Sequence, residues 1–223
     1  MNWIRHPKIR VILALLFTLS ALYLVSNRLL VLLPLAIVWL ALFAPFSAAD
    51  GFVFALASLF FLLQNYVCLK AGLFEFRFKD ILLMPYYEPF LWGFYFTSMR
   101  RFVSGHRRDM VALDARSVAG LVVTSVMFSL FSSNPRALLI ATACSTAFLF
   151  LLFHARLDWY YAAAALTLGI VVELFGVSTG LWSYPASDFL GIPYWFATMW
   201  ISAGVLGRRF LTPAAEWLAA ARG

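Results

Sequence analysis

The stretch GLFEFRFKDILLMPYYEPFLWGFYFTSMRRF, Gly72 to Phe102, returns 108 residues later as GLWSYPASDFLGIPYWFATMWISAGVLGRRF, Gly180 to Phe210, and the two align without a gap. Over the slightly wider windows Asn65–Phe102 and Glu173–Phe210, ten of thirty-eight positions are identical: Gly72/Gly180, Leu73/Leu181, Asp80/Asp188, Leu82/Leu190, Pro85/Pro193, Tyr86/Tyr194, Trp92/Trp200, Arg100/Arg208, Arg101/Arg209 and Phe102/Phe210. Ordinary composition produces about two or three such matches. Self-similarity at a fixed period marks a duplicated architecture. Shared residues then describe the scaffold, and the unshared pairs Asn65/Glu173 and Glu88/Phe196 mark positions that have specialised.

Working outward, 64% of the 223 residues are hydrophobic and only 12% charged, with a mean hydropathy of +0.88. Soluble domains carry about a quarter charged residues, so this chain belongs in a bilayer. Crossing about 30 Å of hydrocarbon takes roughly 20 mostly apolar residues. Eight segments meet that demand approximately: 10–26, 29–47, 51–72, 85–104, 116–133, 137–154, 158–178 and 193–212. Short polar links between them leave no room for a soluble domain. The first segment has the basic flank and apolar run of a signal peptide but no small-residue cleavage site before the next span, and reads as a retained helix. The expected fold is all-α: a polytopic integral membrane protein of about eight transmembrane helices, as two parallel four-helix repeats. The halves are 1–110 and 111–216 within one membrane domain, 1–223. Four spans per half place both halves in the same direction, related by a pseudo-twofold axis along the membrane normal, where a cavity is expected.

The net charge of +7 does not point to nucleic acid, because the basic residues sit at the ends of apolar runs. Putting both termini and the 105–115 loop in the cytoplasm collects Arg5, Lys8, Arg10, Arg100, Arg101, Arg107, Arg108, Arg116, Arg156, Arg208, Arg209 and Arg222 there and leaves Arg28, Lys70, Arg77, Lys79 and Arg136 outside. Excess cations mark the cytoplasmic side, so the chain reads as a protein of the cell membrane with both termini cytoplasmic.

Glu173 is the first candidate for chemistry. It lies seven residues before Gly180, about 10 Å from the end of its helix at 1.5 Å per residue. An ionisable group at that depth faces a bundle interior and marks a function. Desolvation there disfavours the carboxylate, so the acid is placed to donate a proton; the alternative is a structural carboxyl bonded to a neighbouring helix, with Asn65 across the axis as partner. Asn65 sits at the equivalent depth, and its amide can orient a group without supplying a proton. Glu88 opens the helix after PYY, where a helix N-terminus favours negative charge; a cap or interfacial charge is the competing reading. Trp182, Tyr184, Tyr86, Tyr194, Trp92 and Trp200 are candidate substrate-binding rings, against the alternative of an interfacial aromatic belt. Asp80 and Asp188 suit a capping or loop-closing role. Cys68 and Cys144 read as buried apolar thiols. His6, His106 and His154 have no partner at metal-ligand spacing. No phosphate-binding glycine loop, nucleophile elbow or DxxxD pair is present, so no cofactor or metal is expected, and diphosphate-dependent prenyl transfer is disfavoured.

An aromatic-x-aromatic element, a short loop, then a proline followed closely by an acid that opens a helix, placed twice in one membrane chain, resembles the lycopene cyclase domain of membrane-bound carotenoid cyclases. The elements here are WSY at Trp182–Tyr184, FEF at Phe74–Phe76, and Pro85 with Glu88. The family's Pro-x-Glu-Glu is reduced to Glu88, one residue beyond the usual pair, and Pro193 is followed by Tyr194, Trp195 and Phe196. In size and use of intramembrane carboxyls the chain is also similar to carotenoid hydratases and small membrane terpene cyclases. The resemblance implies protonation of an isoprenoid or carotenoid-like lipid, with cyclisation, isomerisation or hydration following. Glu173 is then the proton donor, Asn65 its orienting partner, Glu88 a second carboxylate, and aromatic faces stabilise the cation. Loss of the acidic pair counts against lycopene itself. The alternative is a small pseudo-symmetric transporter or lipid-binding protein with a protonatable Glu173. Either reading takes a lipophilic small molecule and membrane lipid as partners.

Overall fold

The computed structural model describes residues 6–104 and 111–222. His106, Arg5, Arg107 and Arg108 lie outside the described residues. The described chain is helical apart from one two-stranded sheet. Its helices are α1 (Pro7–Leu24), α2 (Leu32–Phe43), α3 (Ala48–Lys70), α4 (Glu88–Ser104), α5 (Ala115–Leu130), α6 (Pro135–Leu152), α7 (Arg156–Ser178), α8 (Trp195–Leu206) and α9 (Thr212–Ala220), with strands β1 (Glu75–Phe76) and β2 (Trp182–Ser183). All eight apolar segments are helical, but among the described residues only α1, α3, α6 and α7 are long and apolar enough to cross a membrane. This corrects the expectation of eight full spans: α2 has 12 residues, about 18 Å at 1.5 Å per residue, which falls short of the hydrocarbon thickness.

The helices begin and stop where side-chain chemistry tells them to. Ser47 and Asp50 form a reciprocal capping box at the start of α3, Asp114 caps α5 and Asn134 caps α6. Gly72 and Gly180, just past α3 and α7, have φ of 72° and 66°, the left-handed conformation that only glycine adopts cheaply at a helix C-terminus. From Trp195 the chain continues helically to Ala220, interrupted by a π turn at Gly207–Leu211. Pro213 explains the interruption, since its ring removes an N–H and crowds the carbonyl one turn back.

The two halves meet at the sheet. β1 and β2 pair antiparallel, with Glu75 opposite Ser183 and Phe76 opposite Trp182. Glu75 and Ser183 are 108 positions apart, so the pair joins equivalent residues, as a local twofold axis through the sheet requires. Each strand is followed by a tight turn: Leu82 and Leu83, then Leu190 and Gly191, all have positive φ. Asp188 accepts a hydrogen bond from the Tyr194 backbone N–H at 2.8 Å, closing the second turn. Asp80 accepts from Arg28 Nε at 2.7 Å, and that bond, its largest influence, holds its carboxyl below the usual range.

At the opposite end of the bundle Arg100, Arg101 and Arg208 are buried and Arg209 is half-buried. Arg100 and Arg101 both grip Asp50, at 2.6 Å and 2.5 Å. At the same 108-residue offset, Arg208 and Arg209 both grip Asp158, at 2.5 Å and 2.6 Å. Each clamp ties the start of α3 or α7 to the end of α4 or α8. Arg100 also reaches Glu216 on α9 at 3.1 Å, and α9 packs along α3. Buried ion pairs are retained only when geometry and extra hydrogen bonds offset desolvation; here Ser47 and the Ala155 N–H supply those bonds.

Candidate functional site

Beneath the sheet a cavity of about 100 Å³ is lined by α3, α4, α5, α7 and α8. Two carboxyls reach it from different helices. Glu88, in the first turn of α4, accepts hydrogen bonds from Asn65 Nδ2 at 3.0 Å and Trp92 Nε1 at 2.9 Å, both on Oε1. Glu173, on α7, accepts from Trp182 Nε1 and Tyr184 OH, both at 2.7 Å and both on Oε2. In each carboxyl the second oxygen takes no hydrogen bond among the described residues. Both glutamates are 7% exposed. Every donor they receive is neutral, and no Lys, Arg or His lines the cavity among the described residues.

Local sequence makes each arrangement. Trp92 is one helical turn beyond Glu88, so its indole lies over the carboxyl, the spacing at which helix neighbours meet. Trp182 reaches Glu173 because Gly176 leaves room: a Cβ there would sit 1.9 Å from the Trp182 ring. The repeat also produces an imbalance. Trp200, the counterpart of Trp92, follows Phe196 instead of a glutamate, and its buried Nε1 has no hydrogen-bond partner. Tyr95 OH and Thr124 Oγ1 are likewise buried and unpartnered, and all three residues line the cavity. Trp92 and Trp200 stack across the centre at 5.1 Å, with Phe61 stacked on Trp92 at 3.8 Å. Buried polar groups are normally satisfied, and these three exceptions all belong to residues that line the cavity.

Seven of the nine residues expected from sequence converge on this cavity: Glu173, Asn65, Glu88, Trp182, Tyr184, Trp92 and Trp200. Tyr86 and Tyr194 do not. They are 40% and 58% exposed, and belong to the surface that the belt reading describes. The expected partnership of Asn65 with Glu173 is also corrected. Asn65 is on α3, antiparallel to α4 in the same half, and so meets Glu88, while Glu173 is held by the hairpin that follows its own helix. Sequence reasoning missed Tyr95 and Thr124, which are ordinary residues in apolar helices, and missed Asp50/Asp158, whose 108-residue offset was the available signal. Cys68 is buried but Cys144 is exposed, so only the first is a buried thiol.

A helical membrane bundle with a small polar-centred cavity between two similar halves is the class that fold and site define. The sequence matches no protein-family profile and no curated protein. The fold is similar to two crystal structures of an Insig homolog, MvINS, from Mycobacterium vanbaalenii: one at TM-score 0.61, the other, a cross-linked trimer, at 0.60. Each is 16% identical over 75% of this chain and 94% of that one. That likeness overturns the cyclase and carotenoid hydratase resemblance. The aromatic-x-aromatic and proline elements that suggested it are, in three dimensions, the paired strands and turns joining the halves of an Insig-like membrane fold.

Proposed function

We propose that this chain is a lipid-binding integral membrane protein that holds one lipophilic molecule by its polar head, without transforming it. The observation that carries the reading is the convergence on one cavity of two carboxyls, each with an oxygen that takes no hydrogen bond among the described residues. At about 100 Å³ the space equals roughly three water molecules at about 30 Å³ each, well below the roughly 300 Å³ at which pockets enclose a whole ligand. It fits a head group. The deep walls are buried, whereas Phe60 and Gln64 on α3 and Leu121, Thr124 and Ser125 on α5 are half-buried. The opening therefore lies between α3 and α5, and a ligand's tail leaves there into lipid. A head that donates, such as a hydroxyl, uses the free carboxyl oxygens. Glu173, Glu88 and Asn65 anchor it, and Trp182, Tyr184, Trp92 and Trp200 shape its seat. The same reading takes residues 1–223 as one membrane domain with halves 1–110 and 111–216, both termini facing the cytoplasm.

The test is lipid extraction and mass spectrometry of protein purified in detergent. Wild type retains a discrete lipophile that Glu173→Gln and the cavity-filling Ala203→Trp lose, while the total lipid profile of the host matches an empty-vector control. Equal retention by all three proteins sinks the binding site. A host profile that changes with wild type and not with Glu173→Gln replaces binding with catalysis.

A further inference from the structure

A second space lies at the opposite end of the bundle from the sheet. A groove of about 780 Å³ runs between α1, α4 and α7, from Lys8 and Tyr160 at its polar end to Leu15 and Val171 at its apolar end. Along α7 it extends from Leu157 to Val171, about 20 Å at 1.5 Å per residue, which matches one acyl chain entering from the membrane face. Its polar end is cationic. Lys8 is exposed and forms no ion pair among the described residues; its ammonium lies 5.4 Å from the Phe102 ring. Arg156, also without a carboxylate partner there, donates to Tyr160 OH at 2.8 Å and 3.0 Å. The inner wall contributes Ser98, 2% exposed, whose Oγ has no hydrogen-bond partner.

The other half treats the equivalent positions differently. Lys8 corresponds to Arg116, which pairs with Asp114 at 2.9 Å. Arg156 corresponds to Ala48 and Tyr160 to Phe52. The face of α3 is packed by α9, whose Glu216 delivers a carboxylate to Arg100. Where the second half closes with its own apolar helix and one negative charge, the first leaves a groove edged by two cations with no carboxylate partner among the described residues.

We propose that the α1/α4/α7 groove is a binding site for a phospholipid with a net negative head group, one acyl chain lying along α7 and the phosphate held by Lys8, Arg156 and the Tyr160 hydroxyl. Each surface cation adds about fivefold to the binding of an anionic head group. The site does not depend on the cavity beneath the sheet.

Native mass spectrometry of the full chain in detergent, titrated with palmitoyl-oleoyl phosphatidylglycerol or the phosphatidylcholine of the same chains, tests it. Wild type retains phosphatidylglycerol at least tenfold better than phosphatidylcholine. Lys8→Gln and Arg156→Gln each reduce phosphatidylglycerol retention about fivefold and leave phosphatidylcholine unchanged. Ala164→Trp keeps both cations but fills the groove, and abolishes retention of both lipids while the circular dichroism melt stays that of wild type. Equal retention of the two lipids by wild type overturns the proposal. So does a preference that survives the Lys8→Gln/Arg156→Gln double variant, and so does wild-type retention by Ala164→Trp, which reduces the effect to surface adsorption.

Discussion

The two ends of this bundle treat the same duplication in opposite ways. At the end where α4 and α8 finish, Asp50 with Arg100 and Arg101 is reproduced 108 residues later by Asp158 with Arg208 and Arg209, contact for contact. Beneath the sheet the correspondence fails: Glu88 has Phe196 as its counterpart 108 residues on, and Asn65 has Glu173. The difference teaches that agreement between the halves marks what holds helices together, and disagreement marks residues that line the cavity. Trp92 and Trp200 refine the rule. They are identical in sequence and stacked on one another, yet one indole N–H is satisfied and the other is not, because the residue one turn earlier changed.

The largest expected effect tests the conserved end. Asp158→Ala leaves Arg208 and Arg209 buried around an absent charge, and breaking a buried pair by removing one partner costs about 3–5 kcal/mol. Asp50→Ala has the same consequence for Arg100 and Arg101. Chemical unfolding in micelles measures both. A loss below about 1 kcal/mol at either site would show that the clamps are ornamental and break the contrast. A smaller effect tests the divergent end with one chemistry at two sites. Trp92→Phe strips a donor from Glu88, whereas Trp200→Phe removes an N–H that had no partner. Glu88 Oε1 keeps its Asn65 bond, and one hydrogen bond contributes about 0.5–1.5 kcal/mol net, so Trp92→Phe is expected to be less stable than Trp200→Phe by about that amount. Trp200→Phe, in turn, loses retained lipophile while keeping its fold. Equal stabilities would mean that the indole bond to Glu88 contributes nothing.

Much of this was readable in the amino-acid order, for physical reasons. Apolar runs specify helices in lipid because every backbone group must be satisfied within the segment; the helical segments were legible from hydropathy, but their lengths were not, and four of the described helices are long and apolar enough to span. The depth of Glu173 and Asn65 followed from residue spacing. Which groups they would touch did not follow, because hydrogen-bond partners depend on how helices are placed side by side. Asn65 meets Glu88 only because α3 and α4 are antiparallel neighbours. The pairing of FEF with WSY was equally hidden: two-residue strands carry no periodicity. Read as a motif, those residues pointed to the wrong family. Read as a symmetric hairpin pair, with Glu75 opposite Ser183, they explain how two four-helix units are joined. Tyr95 and Thr124 were illegible because their importance lies in lacking a partner, a property of the packed structure alone.

The smallest effect concerns a difference at the helix starts. α5 begins at Asp114, which accepts from Ser117 N–H at 2.8 Å and from its hydroxyl at 2.7 Å. The counterpart 108 residues earlier is His6, at the start of α1, which makes no side-chain cap bond. The Ser117 hydrogen bonds, with a lesser contribution from Arg116, pull the Asp114 carboxyl down to about 2 from an ordinary 3.8. A group with a depressed folded value stabilises the fold above its unfolded value, and that contribution is lost as pH falls through the folded one. The α5 cap therefore stays at full strength above about pH 4 and weakens toward about pH 2, while α1, having no carboxylate cap, shows no such window. Hydrogen exchange at the first turn of α5 in wild type and Asp114→Asn isolates the effect, because asparagine caps a helix without titrating. Expected is a protection ratio between the two proteins that changes only between about pH 4 and about pH 2. A ratio constant across that range would mean that Asp114 caps no better charged than neutral, and that the two helix starts differ in sequence without differing in energy.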